Sequence, residues 1–264
     1  MAYRLAHLSD LHIGTGADVA AEQLVDALLR SGADRIALTG DITHRGRRSE
    51  LQRFRRIFAP VADRLVLVPG NHDRLGDDVE AELMPGARVQ TLDDRGVRVV
   101  RFNSTGNHNR RWYDSHGLLT RDDLDDIERE LRAAPPDAAT VLLLHHHLLP
   151  LPDEDFLERI ATRLGWPNAA ELALGPEMVQ RLRGVCDLVL HGHRHIPAER
   201  VRWRNDPRPL RIVNGGSSML LRGFRLFELD AGRWSERWID ATEPRGTVEW
   251  CPAMEYASGP LPGW

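Results

Sequence analysis

The chain has 264 residues, 42% hydrophobic and 28% charged, enough to bury a full core as one large domain or two small ones and ordinary for a globular protein. Its net charge of −4 excludes a global positive field for holding nucleic acid, though not a local basic groove. All 35 basic residues are arginine, so Schiff-base chemistry and a P-loop lysine are excluded and cationic phosphate contacts fall to arginine.

In chain order, residues 4 to 9 read as a buried strand, and a loop follows with Asp10, His12, Gly14 and Gly16. Helical spacing of Val19, Ala20, Leu24, Ala27 and Leu28 predicts a helix over 18 to 30 that stops near Gly32. A strand at Arg35 to Thr39, a helix from Ser49 to Phe58 with Ser49 as its N-cap, and a strand at Arg64 to Val68 come next. Val97 to Phe102 reads as a strand with a partner around Arg88 to Leu92. Thr120 to Ala133 reads as an amphipathic helix stopped by Pro135-Pro136. Thr140 to Leu144 is a buried strand ending in three histidines. Residues 153 to 184, with Trp166-Pro167, are a candidate lid or dimer contact ending in a helix from Pro176 to Leu182. A short strand at Asp187 to Leu190 precedes strand-like pieces at 198 to 204, 209 to 213, 218 to 229 and 233 to 239. Strands alternating with helices predict an α/β fold, with one domain over 1 to 240 and a tail from 241 to 264.

No apolar run approaches the roughly 20 residues that cross a bilayer, and no signal segment opens the chain. Cys186 and Cys251 are isolated, without metal or disulfide spacing, and a cytoplasmic setting is expected.

Six short islands follow predicted strands: Asp10-Leu11-His12, Gly40-Asp41 to Gly46, Gly70-Asn71-His72-Asp73, His145-His146-His147, Gly192-His193-Arg194-His195 and the weaker Asn214-Gly215-Gly216. Their oxygen and nitrogen donors suit borderline metals such as Mn, Fe and Zn, among which the sequence does not choose. Asp10, His12, Asp41, Asn71, His145, His193 and His195 together make a two-metal site, with Asp41 the candidate bridging carboxylate. Two ions about 3.5–4 Å apart clamp the attacking and leaving oxygens of a phosphoryl transfer and generate a hydroxide near neutral pH. His72 is assigned as general acid for the leaving alkoxide, with Asp73 holding its imidazole.

These blocks, in this order from residue 5 to residue 195, resemble the calcineurin-like metallophosphoesterases. The resemblance implies a four-layer αββα sandwich of two mixed β-sheets flanked by helices. It assigns Asp10, His12 and His195 to one metal, Asn71, His145 and His193 to the other, Asp41 to both, and His72 to the phosphate or leaving group. Within the family, Gly117-Leu118-Leu119 and Leu143-Leu144-His145-His146 are most similar to bacterial class III cyclic-nucleotide phosphodiesterases. Many relatives have His-His-Pro-Pro where this chain has His145-His146-His147-Leu148-Leu149-Pro150, so the ligand register rests on His145 rather than being fixed by the motif.

Other residues carry weaker readings. His44 and Arg194 are candidate substrate contacts, as more loosely are the arginines at 45, 47, 48, 110 and 111. His7 is read as a core or surface residue. Gly106-Asn107-His108 repeats the Gly-Asn-His string without the following Asp and is read as a decoy. The expected activity is phosphodiester hydrolysis on a phosphate-ester small molecule or nucleotide, a cyclic nucleotide among the candidates, with nucleic acid not favoured. The rivals are a DNA exonuclease subunit, a phosphomonoesterase or pyrophosphohydrolase, and a non-catalytic binding subunit. Oligomeric state is left open.

Overall fold

The structure, a computed structural model, describes residues 2–151 and 171–243. Trp166, Cys251 and nearly all of the expected tail lie outside the described residues.

Most strands carry apolar side chains on both faces, which forces each sheet to be covered twice. In β1 (Tyr3–Leu8), Tyr3 and Leu5 belong to one core, while Ala6 and Leu8 belong to another on the opposite face. The same alternation divides Val97 and Val99 from Val100 and Phe102 in β5 (Val97–Phe102). It divides Val141 and Leu143 from Leu142 in β6 (Ala139–Leu143). The shared core of Leu5, Ala37, Val68, Val99, Leu143, Leu190 and Phe227 lies between two sheets packed face to face.

The first sheet has the order β11-β10-β1-β2-β3, with β2 at Arg35–Thr39, β3 at Leu65–Val68, β10 at Gly223–Asp230 and β11 at Arg233–Asp240. The second runs β4-β5-β6-β7-β9-β8, with β4 at Val89–Asp94, β7 at Leu188–His191, β8 at Ala198–Arg202 and β9 at Leu210–Asn214. Outside them, α1 (Asp18–Ser31) and α2 (Arg48–Ile57) cover the first sheet. The second is covered by α4 (Arg121–Arg132), through Leu124, Ile127 and Leu131, and by α5 (Gly175–Arg181), through Met178 and Val179. This is the four-layer αββα sandwich that the resemblance implies.

Strands β1, β2 and β3 are mutually parallel, as are β5, β6, β7 and β9. Their carboxyl ends therefore gather at one edge of each sheet, and every metal-type island is a loop leaving that edge. A ligand crevice outside the carboxyl ends of parallel strands is the general outcome of such a layout.

Local structure departs from the sequence reading at several points. Ser49 is not an N-cap: α2 begins at Arg48, and Glu50 instead accepts the backbone amides of Arg45 and Arg47 at 2.8 and 3.2 Å. Residues 218–221 form a helical turn, α6 (Ser218–Leu221), rather than strand, because the Ser217 hydroxyl accepts the Leu220 amide at 3.3 Å. A short α3 (Glu80–Leu83) also lies in a stretch without a predicted element. By contrast α4 starts as expected, with Thr120 and Asp123 bonding reciprocally in a capping box.

Cys186 is fully buried beneath α5, and burial together with Asp187 pushes its thiol up to about 12. Thiolate is the reactive form, so native Cys251→Ser protein is expected to resist Ellman's reagent and to label only after denaturation. Rapid labelling without denaturant would show that α5 opens from the second sheet.

Candidate metal centre

Three loops from the first sheet build one half of the site. The β1 and β2 loops continue their parallel pairing past the strand ends: Asp10 N donates to Gly40 O at 3.1 Å, and His12 N to Asp41 O at 2.9 Å. This pairing is kept while Asp10, His12 and Asp41 adopt left-handed backbone with φ of 53°, 46° and 49°. His193, from the second sheet, has φ of 71°. Such backbone costs a non-glycine residue roughly 1–2 kcal/mol and persists only where surrounding structure dictates it.

The β1 loop is also locked from behind. Ser217 Oγ donates to Asp10 O at 3.0 Å, Ser218 N to Ser9 O at 3.0 Å, and Ser9 N to Ser218 Oγ at 3.1 Å. From the second sheet, His145 follows β6, while His193 and His195 follow β7. Asn214, at the end of β9, fixes that last loop by donating from Nδ2 to Arg194 O at 2.8 Å and Ile196 O at 2.9 Å. The weak sixth island thus positions the ligand loop.

All seven predicted ligands come together. Asp10, His12 and His195 form one group, with His12 Nε2 3.3 Å from His195 Nε2 and His195 Nε2 3.7 Å from Asp10 Oδ1. Asn71, His145 and His193 form the other: Asn71 Oδ1 is 3.0 Å from His145 Nε2 and 3.1 Å from His193 Nδ1. Asp41 stands between them, Oδ1 3.4 Å from His145 Nε2 and Oδ2 3.8 Å from His12 Nε2.

The arrangement fits cations on its own chemistry. His145 Nδ1 lies 2.8 Å from the Thr39 carbonyl and donates to it, which turns Nε2 toward the side-chain oxygens of Asn71 and Asp41. Burial holds His12 at about 3 despite the pull of Asp41, so it is neutral where its Nε2 faces that of His195. His193 is likewise held well below its ordinary value, first by burial and then by the neighbouring histidines. Imidazole nitrogens and carboxylate or amide oxygens converging within 3.0–3.8 Å are a donor set that a positive ion between them would satisfy. Nitrogen and carboxylate donors suit divalent transition metals.

Two glycines make the convergence sterically possible. A Cβ on Gly40, itself at φ 88°, would fall on the His145 ring. One on Gly192 would fall on Ser9 Oγ and sit 2.5 Å from Asp10 Oδ2.

His72 stands beside the bridge rather than in either trio. Its Nδ1 donates to the His44 carbonyl at 2.7 Å, its amide to Asp41 Oδ1 at 2.9 Å, and its Nε2 is 4.0 Å from Asp41 Oδ2. Burial opposes its charged form, but Asp41, the His44 carbonyl and Asp73 outweigh burial and raise it above the ordinary histidine value. On Asp41 itself burial favours the neutral form. His145, His72 and His12, with the His72 amide, overcome that and hold it well below the usual carboxylate range.

Asp73 is corrected. Its carboxylate does not hold the His72 imidazole but accepts from Gly70 N at 2.9 Å, Thr43 N at 2.8 Å, Thr43 Oγ1 at 2.7 Å and Ile42 N at 3.2 Å. The one-turn 3-10 helix at His72–Arg74 sends successive side chains in different directions, so Asp73 staples the β2 loop to the β3 loop.

His44 lies beside the centre, its ring centroid 5.8 Å from those of both His12 and His72. Arg194 is 4% exposed, which rules out its solvent-facing alternative. Arg48 and Arg110 are engaged with Glu82 and Asp78. His146 has both ring nitrogens occupied, Nδ1 with Ser104 Oγ at 2.8 Å and Nε2 with Ser115 O at 2.9 Å, whereas His145 turns Nε2 to Asn71 and Asp41. His7 is buried on the inter-sheet face, its Nε2 2.9 Å from Thr39 Oγ1. Gly106-Asn107-His108 joins none of the metal-type clusters among the described residues.

The sequence reading missed Thr39 and Ser104. Thr39 O receives His145 Nδ1, and Ser104 Oγ accepts the amides of His145 and His146 at 3.3 and 3.2 Å. Both sit at strand ends on the site edge, the signal that exposed the other islands.

The chain is similar to known proteins in sequence and in fold. The chain is 30% identical over 169 residues to a cAMP/cGMP dual specificity phosphodiesterase of Mycobacterium tuberculosis, across 56% of this chain and 51% of that protein. It is 29% identical over 248 residues to a 3′,5′-cyclic adenosine monophosphate phosphodiesterase of Pseudomonas aeruginosa, across 89% of this chain and 84% of that one. The chain spans 64% and 51% of the lengths of the first two curated relatives it matches. In fold it is similar to a dimetal phosphatase from Danio rerio, with a TM-score of 0.67 at 12% identity over 91% of this chain and 97% of that one. The calcineurin-like phosphoesterase pattern matches residues 3–197, spanning both sheets' contributions to the centre, and the chain belongs to that family.

Proposed function

We propose that the protein is a two-metal phosphodiesterase whose substrates are nucleotides, cyclic nucleotides foremost. The observation that carries this reading is Asp41: one buried carboxylate turns one oxygen toward each of two donor trios. The names of the two curated relatives support a diester, and a cyclic nucleotide in particular.

When bound, two divalent cations, of the Mn, Fe or Zn type, supply Lewis-acid neutralisation of phosphoryl charge and a nucleophile near neutral pH. Asp10, His12 and His195 would hold one and Asn71, His145 and His193 the other, with Asp41 available to both. The Thr39 carbonyl fixes the His145 ring so that Nε2 faces inward. His72, anchored through Nδ1 at the His44 carbonyl, keeps Nε2 toward Asp41 and the open side of the site. From there it donates a proton to the departing alkoxide, which lets a poor leaving group go. Asp73 keeps the loops of Asp41 and Asn71 in register.

Three outcomes are expected. Mn-loaded protein hydrolyses bis-p-nitrophenyl phosphate and cyclic AMP faster than p-nitrophenyl phosphate, and metal analysis finds two ions per chain. Asp41→Ala loses both the second ion and turnover. Two bound ions with monoester turnover alone would overturn the diester reading, and metal-free, inactive protein would support a binding subunit.

His72→Gln is expected to lose roughly 10²–10⁴-fold on cyclic AMP. It should lose far less on bis-p-nitrophenyl phosphate, whose nitrophenolate leaves without a proton. Equal losses on both would remove His72 from the general-acid role.

Asp73→Ala leaves buried Gly70 and Thr43 donors unsatisfied, at about 1–3 kcal/mol each. Urea denaturation should show a loss of that order together with weakened metal binding. A variant of unchanged stability would contradict the staple.

A further inference from the structure

The segment after β5 holds the Gly-Asn-His string that joins no metal-type cluster, and it builds something else. Asp114 N donates to Arg111 O at 3.1 Å, closing a four-residue turn with Trp112 and Tyr113 at its centre. Trp112 is 82% exposed and Tyr113 47%, although tryptophan is on average among the more buried side chains. Their rings meet edge to face at 5.9 Å.

The turn is held stiffly. Buried Asn109 donates from Nδ2 to Asp114 O at 2.7 Å and His116 O at 3.0 Å, and accepts the Gly106 amide at 2.7 Å. The His108 and His116 rings stack at 4.0 Å with 9° between planes.

The turn also stands on the metal centre. Ser115 O takes the bond from His146 Nε2, and the His146 ring lies 4.9 Å from that of His145 and 4.8 Å from that of His193. On the other side Arg74 Nη2 donates to Asn107 Oδ1 at 3.0 Å, tying the string to the turn that carries His72. Trp112 is three residues from Ser115, so its Cα is within about 11 Å of that anchor even along an extended chain.

We infer that Trp112, flanked by Tyr113, is the surface on which the nucleobase of the substrate stacks, making this turn the determinant of nucleotide over aliphatic phosphate esters. The inference rests on the phosphodiesterase reading for its substrate. Every nucleobase offers a flat π face, and aromatic side chains bind bases by stacking. Two side chains at the tip of a turn present far less area than a stable protein interface, which buries about 800 Å² per partner, but enough for one base. A clamped turn also loses little further freedom on binding, so the stacking is retained as affinity.

The test measures binding rather than turnover, by calorimetry on the metal-loaded full chain with AMP and with ribose 5-phosphate, which has the same phosphate but no base. Wild type should prefer AMP, and Trp112→Ala should cut that preference by roughly 5- to 100-fold. Trp112→Phe should restore most of it, since phenylalanine retains a face for stacking. Equal affinity for the two ligands in wild type, equal weakening of both in Trp112→Ala, or no AMP binding would overturn the inference. So would a shift from dimer to monomer in Trp112→Ala with the AMP preference intact, which would assign the turn to contact between copies. Base preference lost in Trp112→Ala, in a protein that hydrolyses no diester, would uphold the platform and refute the activity. Diester hydrolysis without base preference would do the reverse.

Discussion

The centre depends on how closely two sheets approach where their parallel strands end. Gly40, at the end of β2, leaves the space that the His145 ring from the opposite sheet occupies, and Gly192, after β7, leaves the space for Ser9 and Asp10. Each sheet therefore offers a side-chain-free point to a ligand of the other. The bond from His145 Nδ1 to Thr39 O, at 2.8 Å, crosses the same gap. A methyl group at either glycine would meet the opposite half-site at far less than van der Waals distance and push the two apart.

From that constraint the rest of the site follows. Loops that must present Asp10, His12 and Asp41 inward while continuing the β1–β2 pairing have few backbone conformations available, and they take left-handed ones. The strain is contained by bonds behind the site, from Ser217 and Ser218 to the β1 loop and from Asp73 to the β2 and β3 loops. Burial then does the electrostatic work by keeping His12 and His193 neutral, the form in which an imidazole offers a lone pair to a metal. His72 is set apart by a different environment: Asp41 and the His44 carbonyl favour its protonated form, suiting it to give up a proton rather than to ligate.

The candidate ligand islands stood out in the sequence because metal chemistry restricts residue type and strand ends restrict position. Both restrictions are local. The α/β alternation was legible along the chain, but the four layers came only with the family resemblance; the structure shows why they form, since strands such as Tyr3–Leu8 and Val97–Phe102 are apolar on both faces. Asp73 was misread because adjacency to His72 in sequence says nothing about direction, and one 3-10 turn sends its carboxylate to the neighbouring loop. Thr39 was hidden because it contributes a carbonyl, which every residue possesses. Ser49 lost the cap because Glu50 took the amides of Arg45 and Arg47. The Gly106 string joins none of the metal-type clusters among the described residues, and its use as a turn scaffold depends on contacts with His146 and Arg74 that no spacing rule contains.

The most direct test of the two-metal account is a crystal structure of protein loaded with Mn or Zn, with the ions located by anomalous scattering. The account predicts two peaks about 3.5–4 Å apart on either side of the Asp41 carboxylate, one beside Asp10, His12 and His195 and one beside Asn71, His145 and His193. A single peak, or two that do not share Asp41, would contradict it.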